Sequence, residues 1–236
     1  DAEGLSGLCR AWGVPLVRHR LDAPPAGEAE ARTARYAFLE EARIEAGAAR
    51  TLTAHHAGDQ AETVLFRAAR GTGLPGLRGI RAHRDPALWR PLLQATPAQI
   101  AEHVRSAGLR WRQDPSNRDR SLTRNALRHE VLPRLERAIP GAARHLAELA
   151  SRARAAEEAW AAVLPRLLEE SERAPRGEDL HDGLQVSQAV VAGYPESLRA
   201  RLLRALAREL GVTLTSTQTA RAVTFAEEGA SGHAVP

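Results

Sequence analysis

The chain has 236 residues, a formal net charge of +4 and 43% hydrophobic content, enough apolar material for one sizeable domain or two small ones. It contains no eighteen-residue apolar run of the kind that spans a membrane and no signal-peptide plan at its start, and its one cysteine, Cys9, excludes an internal disulfide and any CxxC site. All 33 basic residues are arginine, which excludes chemistry that needs an enzyme lysine, such as a Schiff base or a P-loop lysine, while the forked guanidiniums suit phosphate. The cytoplasm is the expected compartment.

In chain order, Ala2 to Trp12 reads as a helix and Val14 to Leu21 as a strand with partial alternation. A proline-bearing loop from Asp22 to Gly27 leads to a long helix from about Glu28 to Ala46, and Thr-Leu-Thr-Ala at Thr51 reads as a strand end. Asp59 to Arg70 reads as an amphipathic helix with Ala61, Val64, Leu65 and Ala68 on one side. Helix, strand, helix, strand, helix in this order implies crossover connections, and so an α/β fold with a parallel sheet and flanking helices. Beyond the glycine-punctuated GTGLPGLRGIR, a short ALWRPLL piece precedes a helix at Pro97 to Ala107 and a polar loop, QDPSNRDRS. After Thr123 long Ala/Arg/Glu/Leu stretches, broken at Pro140, Pro165, the Pro175 to Gly183 loop and Pro195, describe a small all-helical domain. The expected domains are 1–137 and 138–236.

The chemistry concentrates in one turn, where His55, His56, Asp59 and Glu62 fall within eight positions between a strand and a helix. Loops at strand C-terminal ends are where ligands bind in open α/β sheets. Asp59 and Glu62 also have the spacing of a capping box, which needs no ligand, and both readings stay open. The adjacent histidines point to opposite sides of an extended segment, so at most one faces a pocket. A metal site is set aside because neither cysteines nor a helical H-x-x-x-H pair is present.

Arginines recur one helical turn apart, at Arg32 and Arg35 and at Arg67 and Arg70. Arg67 is read as a solvated helix charge. Arg124 and Arg128, with Asn125 beside the first, share a face that suits a phosphate or an RNA backbone. At 4%, aromatic residues do not interleave with the basic ones, which argues against a stacking-platform RNA binder, and Trp12, Trp89, Trp111 and Trp160 are read as core or interdomain residues.

Four segments, AEARTARYAFL at Ala29, LTAHHAGDQAETVLFRAARGTGLPGL at Leu52, WRPLL at Trp89 and WRQDPSNRDRSLTRNALRHEVLPRL at Trp111, together resemble the tRNA(Ile)-lysidine synthetases, members of the N-type ATP-pyrophosphatase (PP-loop) superfamily. The resemblance covers the first 135 residues and implies an adenine nucleotide alpha hydrolase-like fold followed by a helical appended domain that contacts tRNA. Two departures stand out. Gly58 occupies a place where the family signature has an acidic residue, and the superfamily's SGGxDS loop, which wraps the pyrophosphate of ATP, is nowhere in the chain. With no methionine and a start at Asp1, a piece of a longer protein is expected, with the N-terminal strand and loop missing and no activity on its own.

The resemblance implies that ATP, with Mg²⁺, adenylates the wobble cytidine in the CAU anticodon of an isoleucine tRNA, and that free L-lysine then displaces AMP from C2. By the same resemblance His55, Asp59, Arg124 and Arg128 are the catalytic candidates, with His55 as base. Arg35, Asp59 and Glu62 would bind lysine, and Arg32, Arg70, Asn117 and Asn125 would contact the nucleotide or tRNA, Arg70 with Gly71 shaping the turn beneath the pocket. The expected partners are that tRNA, L-lysine and a second copy of the chain as a homodimer, with no resident metal and no membrane. A thiolase-type member of the superfamily, disfavoured by the lone cysteine, and a non-catalytic RNA-binding module are the alternatives.

Overall fold

A computed structural model describes residues 2–85, 87–109, 111, 123–172 and 191–228. They divide into two compact units, Asp1–Arg154 and Ala155–Pro236.

In the first unit, α1 (Ala2–Ala11) and α2 (Glu28–Glu45) precede β1 (Thr51–Leu52), and α3 (Ala57–Ala69) and the single turn α4 (Leu74–Leu77) follow it. β2 (His83–Arg84) and β3 (Leu88–Trp89) then lead to α5 (Pro97–Ser106). The sheet order is β1-β3-β2. β1 runs parallel to β3, with Thr51 opposite Leu88 and Leu52 opposite Trp89. β2 is an antiparallel edge strand, pairing His83 with Trp89 and Arg84 with Leu88. The sheet is therefore mixed rather than purely parallel. Its hairpin turns at Asp85, which adopts φ 58° and accepts the amides of Ala87 at 2.9 Å and Leu88 at 3.0 Å through Oδ1. A short polar side chain that bonds locally is what tolerates that backbone region.

Val14 to Leu21, expected as a strand, makes no ladder bond among the described residues. Alternating side chains favour an extended chain, but a strand exists only where a neighbour supplies hydrogen bonds. Trp12 and Trp111 are exposed rather than in a core. Trp89 packs its ring under Arg50, whose guanidinium lies 3.7 Å from the ring centroid. The loop at 113–121 lies outside the described residues, and Asn117 with it.

After α6 (Thr123–Ala126) the helix widens into a π-helical turn at Leu127–Val131 before α7 (Leu132–Ala138). The long helix α8 (Ala142–Glu172) carries Pro165 in its interior, so the break expected there does not occur. A proline removes one backbone donor, a cost that apolar packing of the same turn offsets. Here Leu164 and Leu167 flank Pro165 and pack on Val191, Leu202 and Leu206. The second unit is completed by α9 (Glu196–Glu209), which begins directly after Pro195, and α10 (Ser216–Glu228). Among the described residues no helix is long and apolar enough to cross a membrane.

Candidate active site

The site begins with a helix start. α3 buries Ala61 and Val64 completely, which fixes its apolar face inward and turns its first residues towards the end of β1. The N-cap is His56, whose Nδ1 accepts the amides of Gly58 at 3.1 Å and Asp59 at 3.3 Å. Asp59 reciprocates by accepting the His56 amide on Oδ2 at 3.0 Å. The capping box is thus His56 with Asp59, one helical turn earlier than the Asp59 and Glu62 spacing would place it. Glu62 is not needed at the helix end. Because Nδ1 is an acceptor, the His56 proton sits on Nε2, and the Nδ1 to Asp59 Oδ2 separation of 3.5 Å is no ion pair.

Gly58 makes this cap possible. A Cβ there would lie 2.9 Å from Cε1 and 3.0 Å from Nδ1 of His56, and 3.1 Å from Cγ of Pro97. An acidic side chain at 58 requires the imidazole and the proline to give way.

Glu62, buried at 3% exposure, turns instead to Arg128. The Arg128 Nε donates to Glu62 Oε1 at 2.5 Å, and Nη2 donates both to Glu62 Oε2 and to Asp59 Oδ1 at 2.9 Å. One guanidinium therefore bridges the two carboxylates. The hydrogen bonds to Glu62 are the main reason its pKa rises above the usual arginine value, against the opposing effect of burial. Arg128 is delivered by the π-helical turn, while Arg124, on the α6 turn before it, donates to Glu28 at 2.9 Å on the exposed side.

These groups line one cavity of about 390 Å³ together with Arg35, Tyr36, Thr53, His55 and the buried Asn125. His55 is half-buried, and its Nδ1 shares a 3.0 Å hydrogen bond with Thr53 Oγ1. Burial first, and then the positive charges of Arg90, Arg32 and Arg124, push its pKa down, against a smaller upward pull from Asp59. The imidazole is accordingly neutral at neutral pH. Arg35, which also lines this cavity, has no ion-pair partner among the described residues.

The structure thus brings together His55, Asp59, Glu62, Arg35, Arg124, Asn125 and Arg128. Arg32 lines a neighbouring cleft, and Arg70 is exposed, stacked 5.3 Å over Phe66, away from both. Arg67, read from the sequence as solvated, instead donates to the carbonyls of Gly76 at 2.8 Å and Gly79 at 3.1 Å and ties down the loop after α3. Sequence reasoning missed two residues. Arg90 is 4% exposed and donates to Tyr36 Oη at 3.1 Å, which sets its positive charge against the Tyr36 side chain that lines the cavity. Burial is the largest influence on the phenol and opposes ionisation, but the Arg90 hydrogen bond and the fields of Arg32, Arg90 and Arg84 outweigh it, and its pKa is lowered. Among the described residues no group of three or more His, Cys, Asp or Glu side chains could hold a metal ion.

Comparison with known proteins adds a family to this geometry. Residues 1–135 match the family described as the PP-loop domain.

The chain belongs to the PP-loop family.

The curated relatives that it resembles include tRNA(Ile)-lysidine synthases. That of Synechococcus sp. is 36% identical over 213 residues, covering 89% of this chain and 63% of the relative. That of Chromobacterium violaceum is 37% identical over 95% of this chain and 51% of the relative. The Thermus thermophilus protein is 40% identical over 98% of this chain and 44% of its own. This PP-loop chain thus spans about half the length of these relatives. Among solved structures, the U34-tRNA thiolase NcsA from Methanococcus maripaludis aligns over 64% of this chain and 55% of its own with a TM-score of 0.49 at 15% identity.

Proposed function

We propose that this chain is the catalytic part of an ATP-dependent ligase that joins L-lysine to C2 of the wobble cytidine in the CAU anticodon of an isoleucine tRNA. The observation that carries this reading is the pair of carboxylates, Asp59 and Glu62, set in one cavity beside a neutral imidazole. The chain's likeness to lysidine synthases over nearly its whole length supports the choice of substrates. Residues 1–137 form the catalytic domain and the helical remainder contacts tRNA.

Asp59 and Glu62 bind the lysine ammonium. Arg128 does not exhaust them, because each carboxylate has about four lone-pair positions, and Asp59 uses two of its own on Arg128 and on the His56 amide. Arg35, at the same cavity, receives the lysine carboxylate as a planar, bidentate partner. Asp59 and Glu62 favour the charged ammonium, and the guanidiniums of Arg128 and Arg124 partly offset that pull. His55 takes the ammonium proton. In the tautomer whose Nδ1–H donates to Thr53 Oγ1, the lone pair of Nε2 is left for the incoming amine.

ATP enters as a substrate and supplies the leaving group, AMP, by activating the C2 oxygen of the cytidine with release of pyrophosphate. The arginines fit such a polyanion, and Arg124 and Asn125, which line the cavity, are the residues assigned to the nucleotide end, with Mg²⁺ arriving on the phosphates. With the ammonium proton already on His55, the free amine attacks C2, the C2–O bond breaks with its electron pair leaving on AMP, and the second N–H proton passes to the departing phosphate or to solvent. Arg128 and Arg124 offset the negative charge on the departing group.

The reading is tested by titrating L-lysine into the chain by calorimetry, with norleucine, which lacks the ε-amine, as the comparison. Saturable lysine binding, lost in Asp59→Asn and absent for norleucine, supports it. Equal binding of the two amino acids, or none of either, removes the lysine site.

A further inference from the structure

We propose that a second cleft, lined by Arg32, Arg67, Arg78, Arg81, Arg84 and Arg90, seats backbone phosphates of the RNA strand whose target base enters the carboxylate cavity. The proposal rests on the tRNA-modifying reading above. The cleft encloses about 350 Å³, and its other lining residues are Pro75, Gly79 and Ile80. It therefore contains six guanidiniums and no carboxylate. Among the described residues none of the six makes an ion pair.

Their hydrogen bonds position charge without neutralising it. Arg67 donates to Gly76 and Gly79, Arg78 Nε to the Pro75 carbonyl at 2.8 Å, and Arg90 Nη1 to the Arg81 carbonyl at 2.7 Å. Arg90 is the telling member. It is 4% exposed and its Nε is buried without a partner, so a nearly dry cation lacks any counter-charge among the described residues. Burying an uncompensated charge is expensive, and an anion entering the cleft relieves that cost. The depressed pKa of Arg67, caused by burial and then by the charges of Arg32, Arg78 and Arg124, reports the same positive field.

Two features favour a phosphodiester strand over a nucleotide. The lining offers no aromatic face for an adenine, and its six guanidiniums, with no carboxylate among them, exceed the charge that one nucleotide brings. Tyr36 joins this cleft to the carboxylate cavity. Arg32 and Arg84 lie 5.0 and 5.1 Å from its ring centroid, and the same side chain lines the cavity that holds Asp59. A strand leaving the arginines crosses Tyr36 to deliver its base.

The test uses Arg81 and Arg84, which are exposed, so that their replacement leaves the fold in place. Binding of a tRNA transcript with a CAU anticodon to the full chain is measured across a salt series for wild type, R81A/R84A and R81K/R84K. The alanine pair is expected to weaken binding by roughly tenfold or more and to reduce the slope of log affinity against log salt by about one per lost contact, while the lysine pair restores the slope. Unchanged slope and affinity in R81A/R84A overturn the proposal. So does a loss of Mg-ATP binding with RNA binding intact, which would assign the cleft to a nucleotide. L-lysine titrations of the same variants separate this failure from that of the enzymatic reading, because the lysine site shares none of the substituted residues.

Discussion

Arg128 grips Glu62 with both edges of its fork, Nε at 2.5 Å from Oε1 and Nη2 at 2.9 Å from Oε2, on a glutamate side chain that is 4% exposed. Breaking such a pair leaves a charge in low dielectric. Arg128→Ala is therefore expected to cost on the order of 2–3 kcal/mol of unfolding free energy, kept modest because the arginine itself reaches solvent. Urea titration measures it. A loss below about 0.5 kcal/mol would show that Glu62 is resolvated on its own.

The two histidines are expected to separate cleanly. His56→Ala removes an N-cap and should cost about 1 kcal/mol of stability, with His56→Asn recovering most of it, since asparagine caps well. His55→Ala should leave stability at neutral pH within roughly 0.5 kcal/mol while lowering turnover of the lysine-joining reaction, measured in a protein extended to carry the SGGxDS loop, by about 10²–10⁴-fold. Thermal melts and single-turnover kinetics on the same variants decide the matter. The reverse pattern would make His56 the base and His55 the structural residue.

Acidification offers a check on His55. Its pKa is depressed in the folded protein by burial and by Arg90, Arg32 and Arg124. The unfolded chain then binds the proton more readily, with a pKa of about 6.5. The contribution is fully present above that value and is lost as the pH falls through the folded pKa. Wild type should lose more stability than His55→Gln below about pH 6.5, measured as unfolding midpoints across pH. Parallel curves would mean that the imidazole is not desolvated.

Gly79 has φ +63° and its missing Cβ would fall 2.4 Å from Gln60 Oε1. That buried glutamine clamps the loop by accepting the Ile80 amide at 2.6 Å and donating to its carbonyl at 3.1 Å. Gly79→Ala is thus expected to destabilise by more than about 2 kcal/mol, adding strain at positive φ to the loss of the clamp. Gln60→Ala should remove part of that penalty in the double variant, giving a coupling of about 1 kcal/mol in a denaturation cycle. Additive losses would mean that the clash is absent.

How far the sequence alone foretells the structure differs from element to element. Helices α2, α3 and α5 follow from apolar spacing and from punctuation by glycine and proline, and their observed bounds lie within two residues of the expected ones. The strands are harder, because two-residue strands carry almost no alternation, and the edge strand at His83–Arg84 is exposed on both residues. In the cavity, residue types are readable but pairings are not. The spacing of Asp59 and Glu62 suggests a cap, and only the fold shows that the cap belongs to His56 and that Arg128, 66 positions beyond Glu62, takes the glutamate. The H-x-x-D spacing is the available signal, but histidine is an uncommon cap. Arg90 cannot be singled out among 33 arginines, because nothing local distinguishes a buried guanidinium from a solvated one.

Arg32 and Arg90 face the arginine cleft, and both also weaken the hold of His55 on its proton, while Asp59 strengthens it. An anion docked among those arginines would mask part of their influence, and the imidazole would then become a stronger acceptor. By reciprocity, a protonated His55 tightens anion docking as the medium turns acidic. Proton affinity and polyanion loading are in this way two readings of the same field.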